Sequence, residues 1–184
     1  MGESPAAEDE LDRALVRRCL DGDRLAAEEI VNRYQRRLFN AALRMLGNVQ
    51  DAEDVTQTVF GNVFVSLAAY NPKFRFFSWV YRMVVNESLN AQKRHKRLVG
   101  LDDSADVAAP ESDSAAAAEA EVAVMKALQG LKVEDRSVVV MKHISLLSYE
   151  EIADVLHIPV KTVKSRLFTA RERLRTALLA QGTV

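Results

Sequence analysis

Residues 148–174 read SYEEIADVLHIPVKTVKSRLFTARERL, and the spacing of their side chains decides how the C-terminal part of the chain folds. Ser148 followed three positions later by Glu151 is a capping box, in which each side chain takes a free backbone N–H of the first helical turn. Tyr149, Ile152, Ala153 and Leu156 then recur at helical spacing and make one apolar face. His157-Ile158-Pro159 breaks that helix, and a second one begins with Val163, Leu167, Ala170 and Leu174 turned inward. A short helix, a tight turn and a longer helix form the helix-turn-helix pattern.

The outward positions of the second helix are Lys161, Thr162, Lys164, Ser165, Phe168, Thr169 and Arg171. From residue 157 to the end of the chain there are six Lys or Arg against the single acid Glu172, a net charge of +5 in a protein whose formal net charge is −1. Cations neutralise phosphates, and Lys, Ser or Thr near the start of a recognition helix reach base edges in the major groove. A solvated cationic helix face is the competing reading. Cap, turn and spacing together favour a DNA-reading element over it.

Upstream of residue 98 the apolar residues also recur every three or four positions. Leu25, Val31, Tyr34, Leu38, Ala41 and Met45 form one stripe ending at Gly47-Asn48. Val55, Val59 and Val63, flanked by Phe60, Phe64 and Leu67, form another that stops before Asn71-Pro72. A third helix is expected from about Phe77 to Arg97. Residues 98–121 carry seven acids (Asp102, Asp103, Asp106, Glu111, Asp113, Glu119 and Glu121) with no Lys, Arg or aromatic ring, the composition of a linker whose alanine-rich end can start the next helix. The expected architecture is all-α, with two small helical domains, residues 8–97 and 121–180, joined by a flexible acidic linker, 98–120.

Composition excludes several functions. The 184 residues are 48% hydrophobic and 28% charged, within the range of ordinary globular proteins. Cys19 is the only cysteine, so neither an internal disulfide nor a thiolate metal site is expected. The acidic start MGESPAAEDE is unlike a secretory signal, and no apolar run reaches membrane-spanning length. A cytoplasmic protein with no membrane insertion is the expectation. His95, His143 and His157 accompany no nucleophile, carboxylate pair or glycine-rich phosphate loop, so no catalytic residue, metal or cofactor is expected.

Six rings, Tyr70, Phe74, Phe76, Phe77, Trp79 and Tyr81, fall within residues 70–82, beside Lys73, Arg75 and Arg82, and no acid occurs from Val55 to Asn86. Two readings are open. The rings are ordinary core, or some of them face outward as a platform on which unpaired bases stack while the cations follow the phosphates. A chain that reads duplex at one end and holds melted strand at the other is suited to opening DNA.

Three blocks, DAEDVTQTVF (51–60), YNPKFRFFSWVYRMVVNESLN (70–90) and the motif at 148–174, resemble the extracytoplasmic-function sigma factors of the sigma-70 family, promoter-specificity subunits of bacterial RNA polymerase. The resemblance covers about residues 11–180, with a region 2-like N-terminal helical bundle and a region 4-like helix-turn-helix domain. It implies that Glu53, Asp54, Gln57 and Phe60 dock on core RNA polymerase. Asn71, Lys73, Phe74, Arg75 and Phe76 would form the loop that opens the −10 element and takes an extruded base, with Trp79 and Arg82 on the helix behind. Lys161, Thr162, Lys164, Ser165, Phe168, Thr169 and Arg171 would read the −35 element, with Lys142 on a phosphate. The implied partners are core polymerase, promoter DNA as duplex and as melted single strand, and an anti-sigma factor. The chain departs from the family pattern at Thr58, where glutamate is common, at Leu146, where glycine often precedes the Leu-Ser pair, and at His157, where a small residue or glycine is common. A helix-turn-helix regulator acting without polymerase explains the third block alone and leaves the aromatic block idle. An interaction protein using the rings as a partner patch would need no +5 helix.

Overall fold

The structure, a computed structural model, describes residues 5–99 and 115–181, and every regular element among them is helical. The first half contains α1 (Pro5–Leu20), α2 (Arg24–Leu46), α3 (Val49–Ser66), a 3-10 turn (Leu67–Ala69) and α4 (Phe76–Val99). The second contains α5 (Ala115–Gln129), α6 (Val133–Val139), a π turn (Val140–Ile144), α7 (Tyr149–Leu156) and α8 (Val160–Ala180). Glu119 and Glu121 of the acidic segment lie on α5, and its other five acids lie outside the described residues.

Local chemistry sets the ends of these helices. The Asp23 carboxylate accepts the backbone N–H groups of Leu25 (2.9 Å) and Ala26 (3.3 Å) and starts α2. Gly47, at φ 79°, ends it and donates to Leu43 O. Asn48 caps α3 through the Asp51 N–H. The buried stripe of α2 is Ala26, Ile30, Tyr34, Leu38, Ala41, Ala42 and Met45. Leu25, expected inside, is 69% exposed because it sits one position off the line through Ile30, Tyr34 and Leu38. Val55, Val59 and Val63 are buried as the pattern requires.

The two halves are packed together rather than held apart by their tether, and their buried side chains form one core. The joint is at the C-terminus of α2, where the last carbonyls lack helical partners and carry the negative end of the helix dipole. Gln129 Nε2 donates to Arg44 O (3.1 Å), and the Arg136 guanidinium donates to Met45 O. Arg136 also bonds the Gln129 side chain, Gln129 O (2.8 Å) and Leu131 O (3.2 Å), and burial pushes its pKa down to about 10. The left-handed turn requires glycine at 47, and a Cβ there would stand 2.8 Å from the Gln129 side chain and displace the amide that bonds Arg44 O. Arg44 and Glu121 close the rim at 2.9 Å.

Among the described residues, two that are not glycine have positive φ: Leu146 at 57° and His157 at 52°. They are the positions where glycine or a small residue is the more usual choice in the family that the sequence resembles. His157 ends α7 in the left-handed conformation, donating its N–H to Ala153 O. Leu146 gains nothing for its strain, since its side chain is 78% exposed.

Leu146→Gly is expected to raise stability by about 0.5–1 kcal/mol, the relief of about 1–2 kcal/mol of left-handed strain less the extra freedom of glycine in the unfolded chain. Arg136→Met is expected to lower it by about 2–3 kcal/mol by leaving buried carbonyls unpaired. Urea titrations of both variants check the pair, and a neutral Arg136→Met would show that the joint does not depend on the guanidinium.

Candidate nucleic-acid interface

In α7 the expected capping box is complete. Glu151 N–H donates to Ser148 Oγ at 3.0 Å, and Ser148 N–H donates to Glu151 Oε2 at 2.8 Å. Ile152, Ala153 and Val155 face inward, with Tyr149 and Leu156 half-buried beside them. Val163, Leu167 and Ala170 hold α8 on the core. This leaves Lys161, Lys164, Ser165, Thr169 and Arg171 exposed, Phe168 70% exposed and Thr162 half-buried. Lys142 lies on the π turn, donating from Nζ to Leu147 O at 3.1 Å. Arg171 reaches back to His143 Nε2 at 3.1 Å. Among the described residues no carboxylate forms an ion pair with Lys142, Lys161, Lys164 or Arg171, whereas Arg173 pairs with Asp135 at 2.5 Å. The surface is cationic, apolar at Phe168, and unneutralised.

The aromatic block divides between the two readings. Phe76, Phe77 and Tyr81 are at most 2% exposed and belong to the core, with Tyr70 at 9%. Phe76 meets Tyr34 edge-on at 5.7 Å and Tyr70 at 5.3 Å, while Phe77 stacks on Tyr34 at 5.9 Å. Phe76, expected in the loop, is instead the first residue of α4 and one of the largest buried side chains. Adjacent rings are both buried because α4 is covered on more than one side, by α2, α3 and α7. Trp79 is half-buried against Tyr70 (5.5 Å) and Phe76 (5.7 Å). Of the loop, Asn71, Lys73 and Phe74 are exposed, Phe74 by 58%. Asn71 Oδ1 accepts the Lys73 N–H at 3.0 Å, and Tyr70 Oη donates to Phe74 O at 2.7 Å. The loop is thus a built turn that displays one ring and one ammonium.

The remaining cations of this stretch are already engaged. Arg75 pairs with Asp9 (3.0 Å), Glu8 (3.7 Å) and Glu151 (3.6 Å). Arg82 donates to Asp154 O at 2.9 Å, and Ser78 Oγ donates to Glu151 Oε1 at 2.6 Å. Glu151 therefore uses one oxygen to cap α7 and the other to hold α4. Burial works against its charge, but the bonds from Ser78 and Ser148 and the nearby Arg75 outweigh it and keep the carboxyl below its usual range. The sequence analysis missed Ser78, Asp154 and this second role of Glu151. Charge complementarity between the acid-free stretch 55–86 and Glu151 signalled the Arg75 pair alone, since Ser78 contributes a hydroxyl and Asp154 a backbone carbonyl.

The third group sits on α3. Glu53, Asp54 and Gln57 are exposed and Phe60 is half-buried. Glu53, Gln57 and Phe60 line a groove of about 540 Å³ with Val31, Gln35, Phe39 and Thr56, an apolar floor with a polar rim. Among the described residues no group of His, Cys, Asp and Glu is placed to hold a metal ion, and no helix is long and apolar enough to cross a membrane.

Comparison with known proteins matches these same segments. Residues 30–98 match sigma-70 region 2, and residues 121–174 match sigma-70 region 4. The chain is 31% identical over 178 residues to the ECF RNA polymerase sigma factor SigW of Bacillus subtilis, covering 89% of this chain and 94% of that protein. It is 31% identical over 183 residues to the RNA polymerase sigma-H factor of Pseudomonas aeruginosa, covering 92% and 94%. Its fold superposes on CnrH, solved in complex with the cytosolic domain of CnrY, with a TM-score of 0.72 and 26% identity over 92% of this chain and 98% of that one. Helix-turn-helix, aromatic block and α3 groove thus occur together as they do in one family: the chain belongs to the extracytoplasmic-function sigma factors of the sigma-70 family and is an RNA polymerase sigma factor.

Proposed function

We propose that this sigma factor directs core RNA polymerase to promoters through two DNA-reading surfaces and opens the −10 region with the first half of the chain. Residues 8–97 bind polymerase and melt DNA, 98–120 serve as the acidic linker, and 121–180 read the −35 element. The observation that carries the reading is the α8 face with Lys142: Lys161, Thr162, Lys164, Ser165, Phe168, Thr169 and Arg171, with no carboxylate ion pair among the described residues at Lys142, Lys161, Lys164 or Arg171. Asn71, Lys73 and Phe74 offer the exposed part of the −10 loop, with Arg75, Trp79 and Arg82 behind them. Phe76 supports that loop from the core. Glu53, Gln57 and Phe60 border the groove that takes a polymerase element, with exposed Asp54 beside them on α3. The chain acts in the cytoplasm, nucleotide chemistry belongs to the polymerase, and an anti-sigma protein is a further partner.

The packing of the halves adds a step. Arg75, Ser78 and Arg82, on or beside the −10-reading surface, are held by Glu151 and Asp154 of the −35-reading motif. The free chain is therefore closed and binds promoter DNA poorly until polymerase separates the two surfaces.

The direct test is transcription by bacterial core polymerase on genomic promoter fragments. Specific start sites are expected only with the chain present, and failure to bind core overturns the reading. Lys164→Met with Phe168→Ala should abolish promoter binding, whereas Lys73→Met with Phe74→Ala should bind and fail to open DNA, read by permanganate footprinting. Full activity of both pairs would sink the assignments.

Glu151→Gln keeps the capping box, because Gln also serves at that position, but loses the charge opposite Arg75. Dyes on the two halves should show a larger separation in the free variant, with binding of a −10 single strand tightened by about two- to fivefold. The same separation is expected in wild type on acidification. A carboxyl with a depressed pKa supports the contact fully above its usual range and loses it as pH falls through the folded value. Unchanged separation in Glu151→Gln would show that the carboxylate does not hold the halves.

A further inference from the structure

The half-buried ring of Tyr149, the first residue of α7, faces two ammonium groups. Lys142 Nζ lies 4.7 Å from the ring centroid and Lys164 Nζ lies 5.5 Å from it. The lysines come from different elements, the π turn and α8, and meet only because α7 lies between them in the chain. Bringing two like charges onto one ring is unfavourable unless something offsets their repulsion, and the negative face of the ring supplies that attraction. We propose that Tyr149 is a positioning residue for −35 recognition, an aromatic bracket that holds Lys142 and Lys164 in place for DNA. This rests on the −35 reading of α8 given above.

The reasoning turns on how a cation is held. A carboxylate would fix a lysine but would also cancel the charge that a phosphate needs. The face of an aromatic ring attracts an ammonium through its quadrupole and leaves its net charge intact. The second anchor of Lys142 is of the same kind, since the Leu147 carbonyl is neutral. Arg171, farther along α8, is likewise held by a ring nitrogen of His143 that must accept from it and so carries no proton. Burial, Arg171 and Lys142 all favour the neutral imidazole. Free lysines lose rotamer freedom on binding, so a bracket that orders them beforehand strengthens the complex. The π turn contributes geometry: its wider spacing places Lys142 and His143 on the side facing α7 and α8, and such turns recur at functional sites.

The test uses the full chain assembled with core polymerase. The DNA is a promoter fragment from which that holoenzyme initiates, and a matched fragment whose −35 element is replaced. Tyr149→Leu keeps apolar bulk and loses the ring face, and it should weaken binding to the intact promoter by about three- to tenfold. Binding to core and to the fragment without a −35 element should not change, and Tyr149→Phe should match wild type. In a Lys142→Met, Lys164→Met background Tyr149→Leu should add nothing further, which separates action through the lysines from a general packing defect. Pentafluorophenylalanine at position 149 keeps the ring's shape and reverses its quadrupole. It should reproduce the loss even if Tyr149→Leu unfolds α7.

Equal affinity of the pentafluoro variant and wild type on the intact promoter would overturn the proposal. So would a loss of the same size in the background lacking both lysines. If the wild-type holoenzyme initiates but does not distinguish the two fragments, the −35 reading itself fails and the bracket falls with it.

Discussion

The closed arrangement depends on a cation that has no carboxylate partner. Arg136 reaches from α6 to the end of α2, where Met45 O accepts a hydrogen bond from it, and its two terminal nitrogens also donate to Gln129 and Leu131. Carbonyl oxygens at a helix C-terminus supply negative potential without a formal charge, so the guanidinium is buried at the cost of a lowered pKa rather than of a second buried ion.

Cations elsewhere in the chain divide by the partner that holds them. Arg44, Arg75 and Arg173 meet carboxylates and are neutralised within the protein. Lys142, Lys164 and Arg171 meet a ring, a carbonyl or an imidazole and keep their charge available. That division follows function as proposed here. The −35 surface is charged and ready in the free chain, whereas Arg75 beside the −10 loop is paired with Asp9 and Glu8 of its own half and with Glu151 across the joint.

Local signals carried most of the fold. Ser148 and Glu151, Gly47, Pro72 and the valines of α3 act within a few residues of themselves, and their geometry is as the spacing implies. Leu25 went wrong through a one-position error of phase in a helix whose buried face includes small alanines. Phe76 went wrong for a different reason. Burying consecutive rings requires a helix covered on several sides, and no window of sequence shows how many neighbours a helix will have. The contacts of Arg136, Gln129, Ser78 and Asp154 span some 72 to 91 residues of chain and were illegible for the same reason. His143 looked isolated because its partner Arg171 is 28 residues away.

Opening the molecule leaves the groups at the centre of the joint with partners. Without Arg136, Met45 O still accepts from Gln92 at 2.7 Å, and Arg136 still has Gln129 and Leu131 within its own half. Glu151 keeps its capping bonds to Ser148, and Arg75 keeps Asp9 and Glu8. Several of the bridging groups are thus backed by a partner on their own side, whereas Ser78 Oγ, Arg82 and the Arg44–Glu121 pair would exchange a partner across the joint for water, at about 1 kcal/mol each. What opening does uncover is apolar, because one core runs through both halves. The α3 groove packs against neither α7 nor α8: the partners of α3 are α2, α4 and the 3-10 turn. A polymerase element is therefore free to seat in that groove while the chain is closed. On the proposed reading docking comes first, and the binding energy of later contacts separates the two surfaces.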